Sequence, residues 1–189
     1  MNIGLYFGSF NPIHHGHLII ASYLANTTDL DQVWFIVSPQ NPLKPSAGLL
    51  NEYQRLHLLR LAIEGETRLK ASDIEFYLPK PSYTVETLAY LEEKYPVNQF
   101  SIIMGSDSFQ NLPKWKNPEI ILQRYPIYVY KRAGFEIPEN KSPLLRVLDA
   151  PLLQISATQI RELVRNRKSI RYLVPDIVKE EIERNGYYR

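Results

Sequence analysis

Cysteine is absent from this chain. That excludes disulfides, zinc–thiolate sites and cysteine nucleophiles. No apolar run approaches the roughly 18 residues that a membrane span requires. Met1 leads straight into a short strand-like run, without the basic start and long apolar stretch of a secretory signal. The expected location is therefore the cytoplasm, with no membrane partner. Neither G-x-x-x-x-G-K-[ST] nor G-x-G-x-x-G occurs, so the usual phosphate-binding loops are missing. Charge of one sign is also scarce: 22 Lys and Arg face 20 Asp and Glu, a net charge of +2. That balance does not predict a nucleic-acid surface, although a pI near 8.7 mildly favours anionic ligands. Histidine occurs only four times.

What is present suits a packed α/β protein. The 189 residues are 44% hydrophobic, enough for one cored domain. Strand-like runs fall at Asn2–Gly8, Gln32–Ser38, Leu69–Phe76, Gln99–Gly105, Ile127–Lys131 and Leu145–Ala150. Several are near-continuously apolar, as in strands covered on both faces. Helix-like stretches intervene at His15–Asn26, Glu52–Glu64, Thr84–Tyr95 and Asn117–Arg124. Two more close the chain, Ala157–Asn166 and Pro175–Asn185. The alternation predicts an α/β, Rossmann-like parallel sheet with helices on both faces. Residues 1–189 read as one domain, with 156–189 as a C-terminal helical subregion. In such sheets ligands bind beyond the carboxyl ends of the strands.

Three of the four histidines lie in "GSFNPIHHGH", Gly8–His17, just after the first strand. Gly8 can let backbone approach a ligand. Asn11-Pro12 is a turn signal. His14 and His17, three apart, share a face of the first helical turn, beside N–H groups that attract anions. Metal binding by His14, His15 and His17 is the alternative. It is disfavoured because adjacent residues point about a third of a turn apart and no carboxylate completes a site. The second constellation, "ISATQIR", Ile155–Arg161, follows the last strand. Ser156 and Gln159 form an S-x-x-Q capping box. Thr158 and Arg161 share a helix face, so hydroxyls, N–H groups and a guanidinium meet at one helix start. Two anion-ready helix starts, both after strands, point to a polyphosphate.

These segments resemble the G-x-F-x-P-x-H-x-G-H and S-x-T-x-I-R motifs of the HxGH nucleotidyltransferases. "NPLK" (Asn41–Lys44), "SYTVETL" (Ser82–Leu88), "MGSDSFQNLPKW" (Met104–Trp115) and the closing "LVPDIVKEEIERNGYY" resemble the bacterial nicotinate-nucleotide adenylyltransferase family. The likeness spans essentially the whole chain. It departs at Phe7, where many members have glycine, and at Ala157, where many have serine; Gly8 and the Ala157 backbone remain.

The resemblance implies a nucleotidyltransferase-type fold and transfer of AMP from ATP to nicotinate mononucleotide, by direct in-line attack. It implies ATP contacts at Gly8, Ser9, Phe10, His14, His17, Gly105, Ser156, Thr158 and Arg161, with His14, His17 and Arg161 catalytic. It implies acceptor contacts at Lys44, Tyr83, Thr84, Asp107, Trp115 and Arg132. Magnesium is expected through phosphate oxygens and water rather than a protein cage, with no protein metal ligand. Several residues keep a second reading: Lys44 as a solvated loop lysine, Asp107 as a helix cap, Trp115 as a packing anchor. "LPKWKNP" holds no carboxylate before Glu119, so nothing local accepts from an amide, while Lys114 and Lys116 add positive potential. The cluster Arg161, Arg165, Arg167, Lys168 and Arg171 reads as a solvated helix face rather than a nucleic-acid patch. Rivals are the same chemistry on nicotinamide mononucleotide or phosphopantetheine, a non-catalytic nucleotide sensor, and a fragment related to tRNA synthetases. A homo-oligomer stays open.

Overall fold

The computed structural model describes residues 1–40, 48–132, 134–135, 137, 142–151 and 153–189. Six strands form one sheet: β1 (Asn2–Gly8), β2 (Gln32–Val37), β3 (Leu69–Ser72), β4 (Gln99–Gly105), β5 (Ile127–Tyr130) and β6 (Leu145–Leu148). The order is β3-β2-β1-β4-β5-β6, and every neighbouring pair is parallel. The chain leaves β1 for one side of the sheet and returns at β4 on the other. The crevice above β1 and β4 is therefore the switch point where such sheets bind ligands.

Helices cover both faces, as the apolar strands require. α1 (His15–Thr27), α2 (Glu52–Ala62), α6 (Ala157–Arg165) and α7 (Asp176–Asn185) enclose a core with Tyr6, Phe35, Leu24, Leu59, Ile160 and Val178. α3 (Thr84–Lys94), α4 (Ser106–Asn111) and α5 (Pro118–Arg124) enclose the other, with Leu5, Ile36, Leu88, Phe109 and Ile121. Leu5 and Tyr6 are adjacent on β1 yet belong to different cores, the period-2 alternation of a strand.

Most predicted boundaries hold to within one or two residues. The exception is the third strand, expected to reach Phe76. It stops at Ser72, and Ile74–Tyr77 forms a 3₁₀ turn. That turn buries Ile74 and the Glu75 carboxylate, which a continuing strand would place on opposite faces. Six residues are too few for a helical period to show α4 in the sequence, where the reading of Asp107 as a helix cap is its one sign. Ser156 does cap α6, accepting the Gln159 N–H at 3.1 Å. Among the described residues no helix is long and apolar enough to cross a membrane.

Candidate active site

The loop after β1 carries the first motif. Phe10 has φ +46°, a left-handed conformation. Its buried ring lies under Gly8, where a Cβ would come within 2.8 Å of it. Gly8 thus makes room for Phe10, a tighter demand than open access to a ligand. The Phe10 and Tyr6 rings meet His17 edge-on, with centroids 5.1 and 6.1 Å away.

His14 is the N-cap of α1, in extended backbone, and is buried. Its ring stacks on His17 with centroids 3.7 Å apart. The shared face inferred from the spacing is therefore present, although His14 lies just outside the helix. Gly16 explains the glycine between them. A Cβ there would stand 3.1 Å from the His14 ring. Burial and the nearby Arg132 cation lower the His14 pKa from 6.5 to about 4, so the imidazole is neutral at neutral pH. Its Nδ1 is buried with no hydrogen-bond partner among the described residues. The His15 N–H is directed elsewhere, to the Leu173 carbonyl at 3.0 Å.

The second motif reaches the first across the molecule. Arg161 donates from Nη1 to the Asn11 carbonyl at 2.7 Å and from Nη2 to Thr158 Oγ1 at 3.2 Å. Its Nε is buried with no partner among the described residues. Ser156 Oγ is engaged as the α6 cap.

β4 and β5 bring a third group. Gly105 ends β4 and has no room for a Cβ, which would lie 2.5 Å from Asp107 Oδ1. Asp107 stands inside the first turn of α4 rather than capping it, and pairs with Arg132 at 2.9 Å. The buried Ser106 hydroxyl accepts the Arg132 N–H at 2.8 Å.

The acceptor candidates lie around α3. Thr84 opens the helix and Tyr83 is its N-cap, with no side-chain cap bond. The Glu86 and Thr87 N–H groups donate back to the Tyr83 carbonyl at 2.9 and 3.0 Å, which leaves those of Thr84 and Val85 as the first-turn groups without an intrahelical acceptor. Trp115 is half-buried and packs against the core that holds Leu88 and Phe109, as do Phe7 and Val85. Lys116 lies 4.7 Å over the Tyr83 ring and is ion-paired to Glu86. The local sequence hides this carboxylate, so the expected positive potential of Lys116 is largely cancelled. Lys44 lies outside the described residues.

Sequence reasoning missed the residues that hold these loops. Arg55 is fully buried and donates to four carbonyls: Leu50 (2.8 Å), Ser9 (2.6 Å), Ser38 (2.8 Å) and Pro39 (2.9 Å). It thereby ties the β1 and β2 loops together. The one signal is its position on the apolar side of α2, four residues before Leu59. Asn11 bridges to Gly48 and Leu50. Tyr188 brings its phenol near Arg55 and Arg161, and burial raises its pKa. Glu75 accepts from Ser82 and Thr87, each at 2.9 Å. Burial raises its pKa against the effect of those bonds.

The site is thus rich in donors and poor in free carboxylates. That composition suits a polyanion, and among the described residues no three His, Asp or Glu side chains group to hold a metal.

Comparisons with known proteins agree. The cytidylyltransferase-like family model matches residues 5–163. A relative from Flavobacterium psychrophilum, named "Probable nicotinate-nucleotide adenylyltransferase", is 51% identical over 192 residues, covering 100% of both chains. One of the same name from Cytophaga hutchinsonii is 52% identical over 191 residues, covering 100% of this chain and 98% of its own. The fold is also that of Plasmodium falciparum nicotinic acid mononucleotide adenylyltransferase solved with NaAD. That match has a TM-score of 0.85 at 20% identity and covers 99% of this chain and 97% of that one. Two stacked histidines and a distant arginine at one sheet crevice, with full-length relatives at this identity, leave one assignment: the chain belongs to the nicotinate-nucleotide adenylyltransferase family.

Proposed function

We propose that the protein transfers AMP from ATP to nicotinate mononucleotide, forming nicotinate adenine dinucleotide and pyrophosphate. A phosphate oxygen of the mononucleotide attacks the α-phosphorus in line. The bond from that phosphorus to the bridging oxygen breaks, and pyrophosphate leaves with the electron pair. No side chain acts as nucleophile, so catalysis consists of positioning and charge stabilisation.

The observation that carries this reading is the Arg161–Asn11 bond, which joins the two phosphate-type motifs at one crevice. His14 and His17 hold ATP phosphates, the neutral His14 as an N–H donor. Arg161, with Ser156 and Thr158, holds the departing pyrophosphate. Gly8, Ser9, Phe10 and Gly105 shape the ATP side. Phe10 does so through its backbone, since its ring is buried. Magnesium, if carried in by the triphosphate, would supply charge neutralisation there and would need no protein cage. The donor-rich site and the Asp107–Arg132 ion pair fit an ion carried by substrate rather than caged by protein.

On the acceptor side, the start of α3 offers N–H groups and the Thr84 hydroxyl to the nicotinate carboxylate. Tyr83 and Trp115 flank the pyridine ring. Asp107 takes ribose hydroxyls and Arg132 takes phosphate, the role also proposed for Lys44, which lies outside the described residues. Charge-assisted bonds of about 1.5–3 kcal/mol favour the acid over the amide by roughly 10–150-fold. ATP-dependent pyrophosphate release with nicotinate mononucleotide, nicotinamide mononucleotide and phosphopantetheine tests this. Equal or greater kcat/KM with the amide moves the protein to the neighbouring specificity, and no release with any acceptor makes it a nucleotide sensor.

A further inference from the structure

We propose that Glu75 is a positioning residue for the acceptor: it clamps the start of α3 from both sides and thereby aims the N–H groups that take the nicotinate carboxylate. This rests on the acceptor site described under the proposed function. Glu75 is 2% exposed, and among the described residues no cation pairs with it. Burying a carboxylate without a cation is costly, and an apolar residue of similar size would pack more favourably. Such a residue holds its place through what it organises.

What it organises is specific. One oxygen accepts from Ser82, the residue before the N-cap. The other accepts from Thr87, which closes the first turn. The Thr87 hydroxyl also approaches the Tyr83 carbonyl at 3.2 Å. A third hydroxyl, that of Ser38 just after β2, lies near enough to the same carboxylate to help oppose the effect of burial on its pKa. The helix therefore lacks an N-cap side-chain bond from Tyr83 but is gripped by a carboxylate outside it. Through Ser38 the grip is referenced to the sheet, and hence to the loop where Arg55 binds the Ser38 carbonyl. Three segments that meet nowhere else in sequence share one buried charge. Its removal lets the first turn of α3 shift relative to β2, and small misplacements of a binding group cost large factors in rate.

The test is steady-state kinetics of Glu75→Gln, Thr87→Val and Ser82→Ala with each substrate varied, alongside melting temperature. Glu75→Gln is expected to raise KM for nicotinate mononucleotide about tenfold or more, to leave KM for ATP within about twofold, and to erode the acid-over-amide preference. Thr87→Val, which keeps shape and loses one donor, moves the same quantities less and substitutes for Glu75→Gln should that variant not fold. An unchanged acceptor KM in folded variants, or equal rises for both substrates, overturns the positioning role. Thr84→Ala and Trp115→Ala separate the two readings. If they raise the acceptor KM and the Glu75 series does not, the acceptor site stands and Glu75 does not position it. If none moves it, the acceptor binds elsewhere and both readings fall.

Discussion

Arg161 reaches the Asn11 carbonyl from 150 residues along the chain, with Nη1 2.7 Å from the oxygen. The same guanidinium holds Thr158 through Nη2. One planar group thus fastens the loop after β1 to the start of α6. A lysine has no fork to do both. Arg161→Lys is expected to lower kcat/KM by roughly 10²-fold or more with a modest loss of melting temperature. Near-native turnover would show that a point charge is all the site needs.

His17 is held edge-on by Phe10 and Tyr6 and stacked by His14, so its ring is fixed before substrate arrives. If it acts on charge developing in the transition state, His17→Ala lowers kcat by roughly 10²–10³ and changes KM for ATP far less. A folded variant with unaltered kcat removes His17 from the catalytic set.

His14 sets a pH dependence. Its pKa is about 4 in the folded protein against about 6.5 in an unfolded chain. Between those values the unfolded chain binds the extra proton, so stability rises with pH across this window. The contribution is complete above about pH 6.5 and is lost as pH falls towards 4, amounting to roughly 3 kcal/mol. Denaturant titrations from pH 4 to 7.5 should show a steeper slope for the native protein than for His14→Asn. Parallel slopes would mean that His14 is protonated at little cost.

Gly16→Ala pits two effects against each other. Alanine in a helix gains about 1 kcal/mol over glycine, but the new methyl meets the buried His14 ring at 3.1 Å. The ring must shift, so the expected outcome is a melting temperature within a few degrees of native and kcat reduced about tenfold or more. Full activity would show that His14 has slack the structure does not suggest.

Arg55→Met removes donors from four buried-side carbonyls and leaves the volume roughly filled. The expected cost is about 3–5 kcal/mol, measured by denaturant midpoint. A loss below about 1 kcal/mol would mean that the β1 and β2 loops are held by other contacts.

The local record in the sequence was enough for most strands and helices, with the third strand overextended, and for locating both motifs. Each rests on near neighbours: apolar runs at Leu5 and Phe35, the Ser156–Gln159 cap, His14 and His17 three apart. Such features have their partners within a few positions, so spacing alone exposes them. The pairings that shape the site are of another kind. Arg161 with Asn11, Arg132 with Asp107, Lys116 with Glu86 and Arg55 with Ser9 are separated by 150, 25, 30 and 46 residues. Glu75 reads as one more acid beside a strand until Ser38, Ser82 and Thr87 close around it. The energy of such a contact depends on distance and on removal from water, and a linear pattern encodes neither. These groups reach hydrogen-bonding range only once the fold brings their segments together, and the most buried of them, Arg55, holds its loops out of contact with water.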